Sequence, residues 1–326
     1  MNNSTVEPNS LKEQILLVDK YFAEGNFYQA GLQLDKALEI DFDSPEVQIG
    51  LKCCHFWNPR KDRFAAFDDP FESGEFLLRE WKNFDSFIRL KTCRLKPCIM
   101  AVQRWVFGAA LSAFKQISRT NDGLDREVLF RMGRCYKGIG DYENALSLME
   151  MANHRKREDA EILAELADVY ALINEIKSAK IFFREAFFID PQKVDLVFLE
   201  SRVIRRLIER VEELAVDPAY VAEWIPVYGV LTDVFNVKRE LKSLEFAKLR
   251  QSIYTLENEV KSGQKEREER IIPRLINRYF WLIDHYMFIQ ESRHKIEEVL
   301  EKLKILNSSV HEQFLQTKEA VSKCQF

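Results

Sequence analysis

An all-α fold is predicted: an α-solenoid of stacked helical hairpins, followed by a C-terminal region of long helices. Three observations carry this. Two segments between Glu127 and Pro191 register on one another at a spacing of 34 residues, and a fixed period in this range marks stacked hairpins. The 326 residues include only 11 glycines and 9 prolines, fewer than a sheet with many turns would use. Elsewhere apolar residues recur by threes and fours, the period of a helix face.

In the registered segments Met132-Gly133 falls on Leu166-Ala167, Tyr136 on Tyr170, Gly140 on Asn174, Ala145 on Ala179, Met149 on Phe183 and Ala152 on Ala186. The first segment reads as a helix over Glu127–Lys137, a joint at Gly138–Asp141, and a second helix over Glu143–His154. Gly140 and Asn174 suit a left-handed joint, which glycine adopts freely and asparagine better than most residues. Gly133 and Ala167 lack bulk, as do Ala145, Ala179 and Ala186, so paired helices can approach closely there. Pro191 stands where one hairpin ends and the next begins.

These residues resemble the tetratricopeptide repeat, a helix–turn–helix unit of 34 residues. Leu166-Ala167, Tyr170, Ala179, Phe183, Ala186 and Pro191 follow that family's small/large alternation; the preceding segment follows it too, with Arg157 where the proline would stand. The resemblance implies a solenoid that binds other proteins along the concave face formed by the first helix of each hairpin.

From the N-terminus, Leu11–Ile40 gives the same pattern a third time: Leu17-Val18, Tyr21, Gly25, Ala30, Leu34 and Ala37, with Pro45 slightly late. Glu46–Phe56 reads as the first helix of a degenerate repeat, so residues 1–56 form the first block. An irregular aromatic insertion is expected over 57–74, where Trp57-Asn58-Pro59 breaks the helix and Phe64, Phe67 and Phe71 either tuck against the core or await a partner. Residues 75–198 hold the remaining repeats: a helix over Glu75–Arg94, another opened by Pro97 and ended at Asn121-Asp122-Gly123, then the registered pair.

The repeat signature stops after Pro191, and 199–326 is expected to be a helical region. Val194–Leu214 is amphipathic. It should end before Asp217-Pro218; Pro273 should kink its helix or open a new one, and Asn236 is a candidate cap for a helix reaching Ser262-Gly263. Phe246, Leu249, Ile253, Leu256 and Val260 form one apolar seam; Ile296, Val299, Leu303, Leu306 and Val310 form another. The two seams predict a long-helix hairpin, or self-association of two chains through the same helices.

The window between the seams is the most aromatic in the chain. Its Arg274, Arg278, Tyr279, Trp281 and Tyr286 are either core or a docking surface, since Tyr, Trp and Arg dominate binding hot spots. The phrases Trp224–Val230 and Ile272–Asp284 look like those of spirochaete tetratricopeptide proteins, some of which belong to the collar around the periplasmic flagellar motor. That likeness implies a motor-assembly scaffold.

A candidate partner groove lies on the outward positions of the first helices: Arg131, Arg134 and Lys137 in one repeat, Glu161, Glu165 and Asp168 in the next. Mixed charge of this kind suits a folded partner or a helical peptide. The lysine and asparagine set by which some family members clamp a chaperone C-terminus is missing.

No catalytic residue, cofactor or metal ligand is assigned. Cys53-Cys54-His55, with Cys93 and Cys98, lacks the paired spacing of a structural zinc site, and the six cysteines fit a reducing compartment. Asp284 and His285 are neighbours on a helix and face apart. The sequence shows no phosphate loop or nucleophile elbow. With 48 basic and 52 acidic residues the net charge is −4, which makes nucleic acid an unlikely general partner; an RNA-associated reading would rest on Arg202, Arg205, Arg206 and Arg210. No signal peptide or membrane span is expected, and the protein is read as cytoplasmic, peripheral to a membrane-associated assembly if the motor likeness holds. The expected function is non-catalytic: a scaffold or adaptor for other proteins.

Overall fold

Every regular element among the described residues is an α-helix or a short 3₁₀ turn. The computed structural model describes residues 10–88, 96–118, 125–155, 158–214, 216–237, 240–262 and 265–323. The expected helix stop at Asn121-Asp122-Gly123, the end of the helix predicted to reach Arg94, Cys93 and Arg157 lie outside them. The chain forms two compact units, Met1–Arg155 and Lys156–Phe326.

The first unit holds α1 (Leu11–Ala23), α2 (Phe27–Ile40), α3 (Pro45–Ala65), α4 (Pro70–Ile88), α5 (Pro97–Ser118), α6 (Arg126–Ile139) and α7 (Tyr142–Arg155). Local chemistry starts several of them. Ser10 Oγ accepts the Glu13 amide and the Glu13 carboxylate accepts the Ser10 amide, a reciprocal cap on α1. Pro45 opens α3 from a position where its missing N–H costs nothing.

The insertion expected over 57–74 is corrected. Helix α3 runs through Trp57 and Pro59 to Ala65, and α4 begins at Pro70, leaving only Ala66–Asp69 between them. Trp57 is fully buried, so core packing holds α3 together where its proline would break it. His55, whose carbonyl loses its helical donor to Pro59, and Pro59 itself are on the exposed side. Arg60 then ties the helix down, donating to the Phe56 carbonyl at 2.7 Å and to Glu80 on α4 at 2.6 Å. The phenylalanines of this stretch meet neighbouring rings: Phe67 lies 5.1 Å from Phe76, and Phe71 lies 5.8 Å from Phe114.

Helix α5 is long and apolar enough to cross a membrane by length and composition, the one such helix among the described residues. In this fold it is largely internal, packing against α1, α4 and α6. The contact of α1 with α5 also departs from a strict one-dimensional stack, in which each hairpin would touch only its sequence neighbours.

The second unit holds α8 (Ala160–Leu172), α9 (Ile176–Ile189), 3₁₀ turns at Pro191–Lys193, Leu196–Phe198 and Pro218–Tyr220, α10 (Arg202–Glu212), α11 (Val221–Leu231), α12 (Ser243–Lys261), α13 (Lys265–Phe288), α14 (Arg293–Leu306) and α15 (Ser308–Lys323). Pro273, expected to kink a helix or open a new one, sits inside α13; Pro226 sits inside α11, and both are buried. Helix α12 starts at Ser243, well past Asn236. The predicted pairing of the two seams is also corrected. Helix α13 packs against both α12 and α14, so each seam meets the aromatic helix instead of the other seam.

One joint occurs four times among the described residues. In α1–α2 the amide of Asn26 donates to the Tyr21 carbonyl (2.7 Å) across a left-handed Gly25. In α6–α7 Asp141 donates to Tyr136 (2.9 Å) across Gly140, and in α8–α9 Glu175 donates to Tyr170 (2.7 Å) across Asn174. The fourth, α13–α14, was not anticipated: Glu291 donates to Tyr286 (2.9 Å) across Gln290, whose φ is 52°. Each joint satisfies carbonyls that a helix end otherwise leaves bare. The small-residue contact accompanies only the first three. A Cβ on Gly133 would stand 2.8 Å from Met149 Cγ, and Ala30, Ala145, Ala167, Ala179 and Ala186 are fully buried. At the corresponding place after Tyr286 stands Lys295, which packs over the Tyr286 ring.

Candidate functional site

The charged groove expected on the first helices is not a solvated row. Arg134, Lys137 and Glu165 are buried, and Asp168 is completely so. Arg131 is mostly covered, donating to Glu75 on α4 at 2.6 Å and to Glu127 one turn back at 2.7 Å. Arg134 lies 4.7 Å from the centre of the Phe130 ring. Asp168 accepts the amides of Glu200 and Ser201, both at 2.8 Å, and so fixes the backbone just ahead of α10. Arg131 and Glu161 alone of the six keep intermediate exposure. The outward placement is corrected for a physical reason: several of these charges fix nearby backbone or pair with neighbouring helices.

The aromatic window of α13 is the core of the second unit. Tyr279 and Trp281 are buried, with Phe280 and Ile283 beside them, and Tyr286 is half-buried. Its polar side chains clasp the end of α9, whose last carbonyls lack helical partners. Asn277 donates to the Phe187 carbonyl at 3.3 Å, and Arg278 donates to the Phe188 carbonyl at 2.6 Å while lying over the Phe188 ring. Arg274 forks onto both oxygens of Glu223 at 2.8 Å and reaches Asp190 at 3.1 Å.

The electrostatics follow from that arrangement. Burial works against the charge on Arg274, but hydrogen bonds and the charges of Glu223 and Asp190 outweigh it and raise its pKa. Arg278 is pushed down to about 10, first by burial and then by the neighbouring Arg274 cation. Burial, then the hydrogen bond it donates to Glu257, pushes the Tyr279 hydroxyl up, so it stays a proton donor.

Arg184, not singled out in the sequence, completes this web with Asp284. Arg184 pairs with Asp284 at 2.5 Å, donates to the Val237 carbonyl at 2.7 Å, and lies over the Trp281 ring. Their signal was present as a charge inside an apolar run: Arg184 follows Phe182-Phe183, and Asp284 follows Trp281-Leu282-Ile283. The pairing explains why Asp284 and His285 do not act together. Asp284 faces Arg184, while the His285 ring packs 4.5 Å from Phe246.

Cys53, Cys54, Cys98 and Cys135 are buried thiols, and burial foremost pushes the Cys54 thiol up to about 12. No group of residues suited to hold a metal ion occurs among the described residues.

What remains open to solvent lies elsewhere. In the first unit Tyr28 and Leu32 on α2 face a groove shared with Leu51, Cys54 and His55 on α3. In the second unit a more apolar groove of about 500 Å³ runs between α12, α13 and α14, with Ile305 at its rim 84% exposed. No protein-family model matches this sequence, and no curated protein matches it.

Proposed function

We propose that this protein is a non-catalytic scaffold that holds other proteins, built from tetratricopeptide-like hairpins. The recurring joint at Tyr21, Tyr136 and Tyr170, each time followed by a fully buried alanine (Ala30, Ala145 and Ala179), is the observation that supports it most. Hairpins of this kind bury their faces on one another and leave long surfaces for partners. The charged and aromatic residues first considered for binding are largely committed to internal pairs, which moves the proposed docking to the apolar grooves instead.

The finer form of the proposal is a motor-assembly scaffold of the spirochaete kind. Its support is the resemblance in Trp224–Val230 and Ile272–Asp284, and these are the stretches that build α11 and α13. The RNA-associated alternative loses ground, because Arg205 donates to the Val197 carbonyl and Arg210 pairs with Glu213.

Affinity capture of the full chain from its native cell, with quantitative partner identification, tests the reading. Reproducible recovery of one or a few proteins in fixed ratio to the chain is expected. Recovery of the chain alone, after crosslinking in intact cells, would overturn it.

A further inference from the structure

We infer that the groove between α12, α13 and α14 seats a short acidic amphipathic helix supplied by a partner protein. This rests on the scaffold reading and names the chemistry of one of its contacts.

The groove has an apolar floor and a cationic rim. Ile272 and Leu275 of α13 form the floor, with Val260 of α12 and Leu306 of α14 on the two walls. Ile305 stands at the edge with 84% of its surface in water and extends the apolar lining of Val260, Ile272, Leu275 and Leu306 outward into one patch. From Ile272 to Tyr279 the floor runs for two helical turns, about 10 Å at 1.5 Å per residue. That length matches the i, i+3, i+4, i+7 face of a docked helix.

Charge selects the sign of the occupant. The charged residues lining the groove are Lys261 and Lys302 against Glu257. Glu257 is already taken: it accepts Lys302 at 2.9 Å and the Tyr279 hydroxyl at 2.8 Å. Burial would raise its pKa, but those two hydrogen bonds and the lysine charges more than reverse this and keep it ionised. Lys261, on the opposite wall from Lys302, also acts on Glu257 through its charge, so two lysines face one carboxylate and the rim keeps a cation in excess beside an apolar trough; Lys304 is exposed on α14 next to Ile305. A helix with leucine-like residues on one face and carboxylates along its flank satisfies both features. A helix flanked by lysine would meet like charge on the rim.

The test uses the full chain and two fluorescein-labelled synthetic helices. Both carry leucine at i, i+3, i+4 and i+7; one is flanked by glutamate and the other by lysine at the same positions. Fluorescence anisotropy should show saturable binding of the acidic peptide, at least tenfold tighter than the basic one. Ile305→Asp and Lys261→Glu should each weaken the acidic peptide by tenfold or more. Because both positions are exposed, thermal unfolding of the variants should match that of the parent, which separates lost binding from lost folding.

Equal affinity for the two peptides, or unchanged binding in Ile305→Asp, would overturn the inference. So would a concentration-dependent dimer that Ile305→Asp abolishes while neither peptide binds, since the occupant would then be a second copy. If capture from cells retains its partners equally with Ile305→Asp, the groove falls while the scaffold stands; if the parent chain captures nothing, the scaffold reading itself falls.

Discussion

The first unit packs ring against ring, whereas the second threads a web of charges through its apolar core. In the first, Phe27, Trp57, Phe84 and Trp105 interlock largely edge to face, with Phe27 and Trp105 4.8 Å apart and Trp57 5.4 Å from Phe84. Glycines let these rings approach the backbone. A Cβ on Gly138 would stand 2.3 Å from Phe107, and one on Gly74 would stand 2.5 Å from Phe114. In the second unit Arg184–Asp284, Arg274–Glu223–Asp190 and Arg278 with the Phe188 carbonyl bind α9, α11 and α13 together. The two strategies fail differently. Rings lose contact area gradually as atoms are removed, whereas a buried charge that loses its partner is left stranded.

The largest effect should come from the aromatic core. Trp57→Ala should destabilise the first unit by about 3–5 kcal/mol, measured by urea unfolding, because the surroundings of so large a ring cannot collapse fully. A loss below ~1 kcal/mol would mean the rings are not what holds that unit.

Glu223 is completely buried while Arg274 is partly open, so Glu223→Ala should cost slightly less, about 2–4 kcal/mol. The double variant Glu223→Leu/Arg274→Met should recover most of that loss, since it removes the stranded charge along with its partner. Failure to recover would show that the pair contributes net stability, sharpening the contrast between the units.

A smaller effect separates two versions of the shared joint. Gly140 has φ 89° with open space around it, so Gly140→Ala should cost about 1 kcal/mol through backbone conformation alone. Asn174→Gly should change stability by less than about 0.5 kcal/mol, because asparagine already tolerates its φ of 67°. Equal responses at the two positions would contradict a common joint.

The smallest effect is a pH dependence in the first unit. Burial foremost raises the Asp19 carboxyl from 3.8 to about 6, with Arg104 opposing it. A carboxyl raised on folding favours the folded state when protonated. Its contribution is therefore fully present below about pH 4 and lost as pH rises through 6. Asp19→Asn should leave stability unchanged at pH 4 and raise it by roughly 1 kcal/mol at pH 7, a figure reduced for partial solvent screening. Parallel stability curves for parent and variant across that range would refute the assignment.

The same contrast explains what the sequence discloses. Helical period and small residues are local signals, so the hairpins around Gly25, Gly140 and Asn174 could be read directly. The α13–α14 joint escaped because Gln290 is not a residue that announces a left-handed turn, and because Lys295 replaces the small residue that marks the other three. Pro59 reads as a break and Pro273 as a kink or a helix start, since proline's effect on a helix is local while the packing that overrides it is not. The candidate site was the least legible part. Arg184 and Asp284 are 100 residues apart and Arg274 and Asp190 are 84 apart, separations that no window along the chain connects. The groove beneath Ile305 was equally hidden, because its walls come from two seams read as facing each other.

Trp105 lies against Gly25, where a Cβ would come within 2.0 Å of its indole nitrogen, and the two residues are separated by 105 − 25 = 80 positions. During synthesis the N-terminal hairpin therefore emerges long before the ring that seals it. At about 5–20 residues per second the nascent segment waits roughly 4–16 s with Phe27 and its neighbours uncovered. That interval is when a chaperone, or a neighbouring chain on the same message, has its best access to this protein.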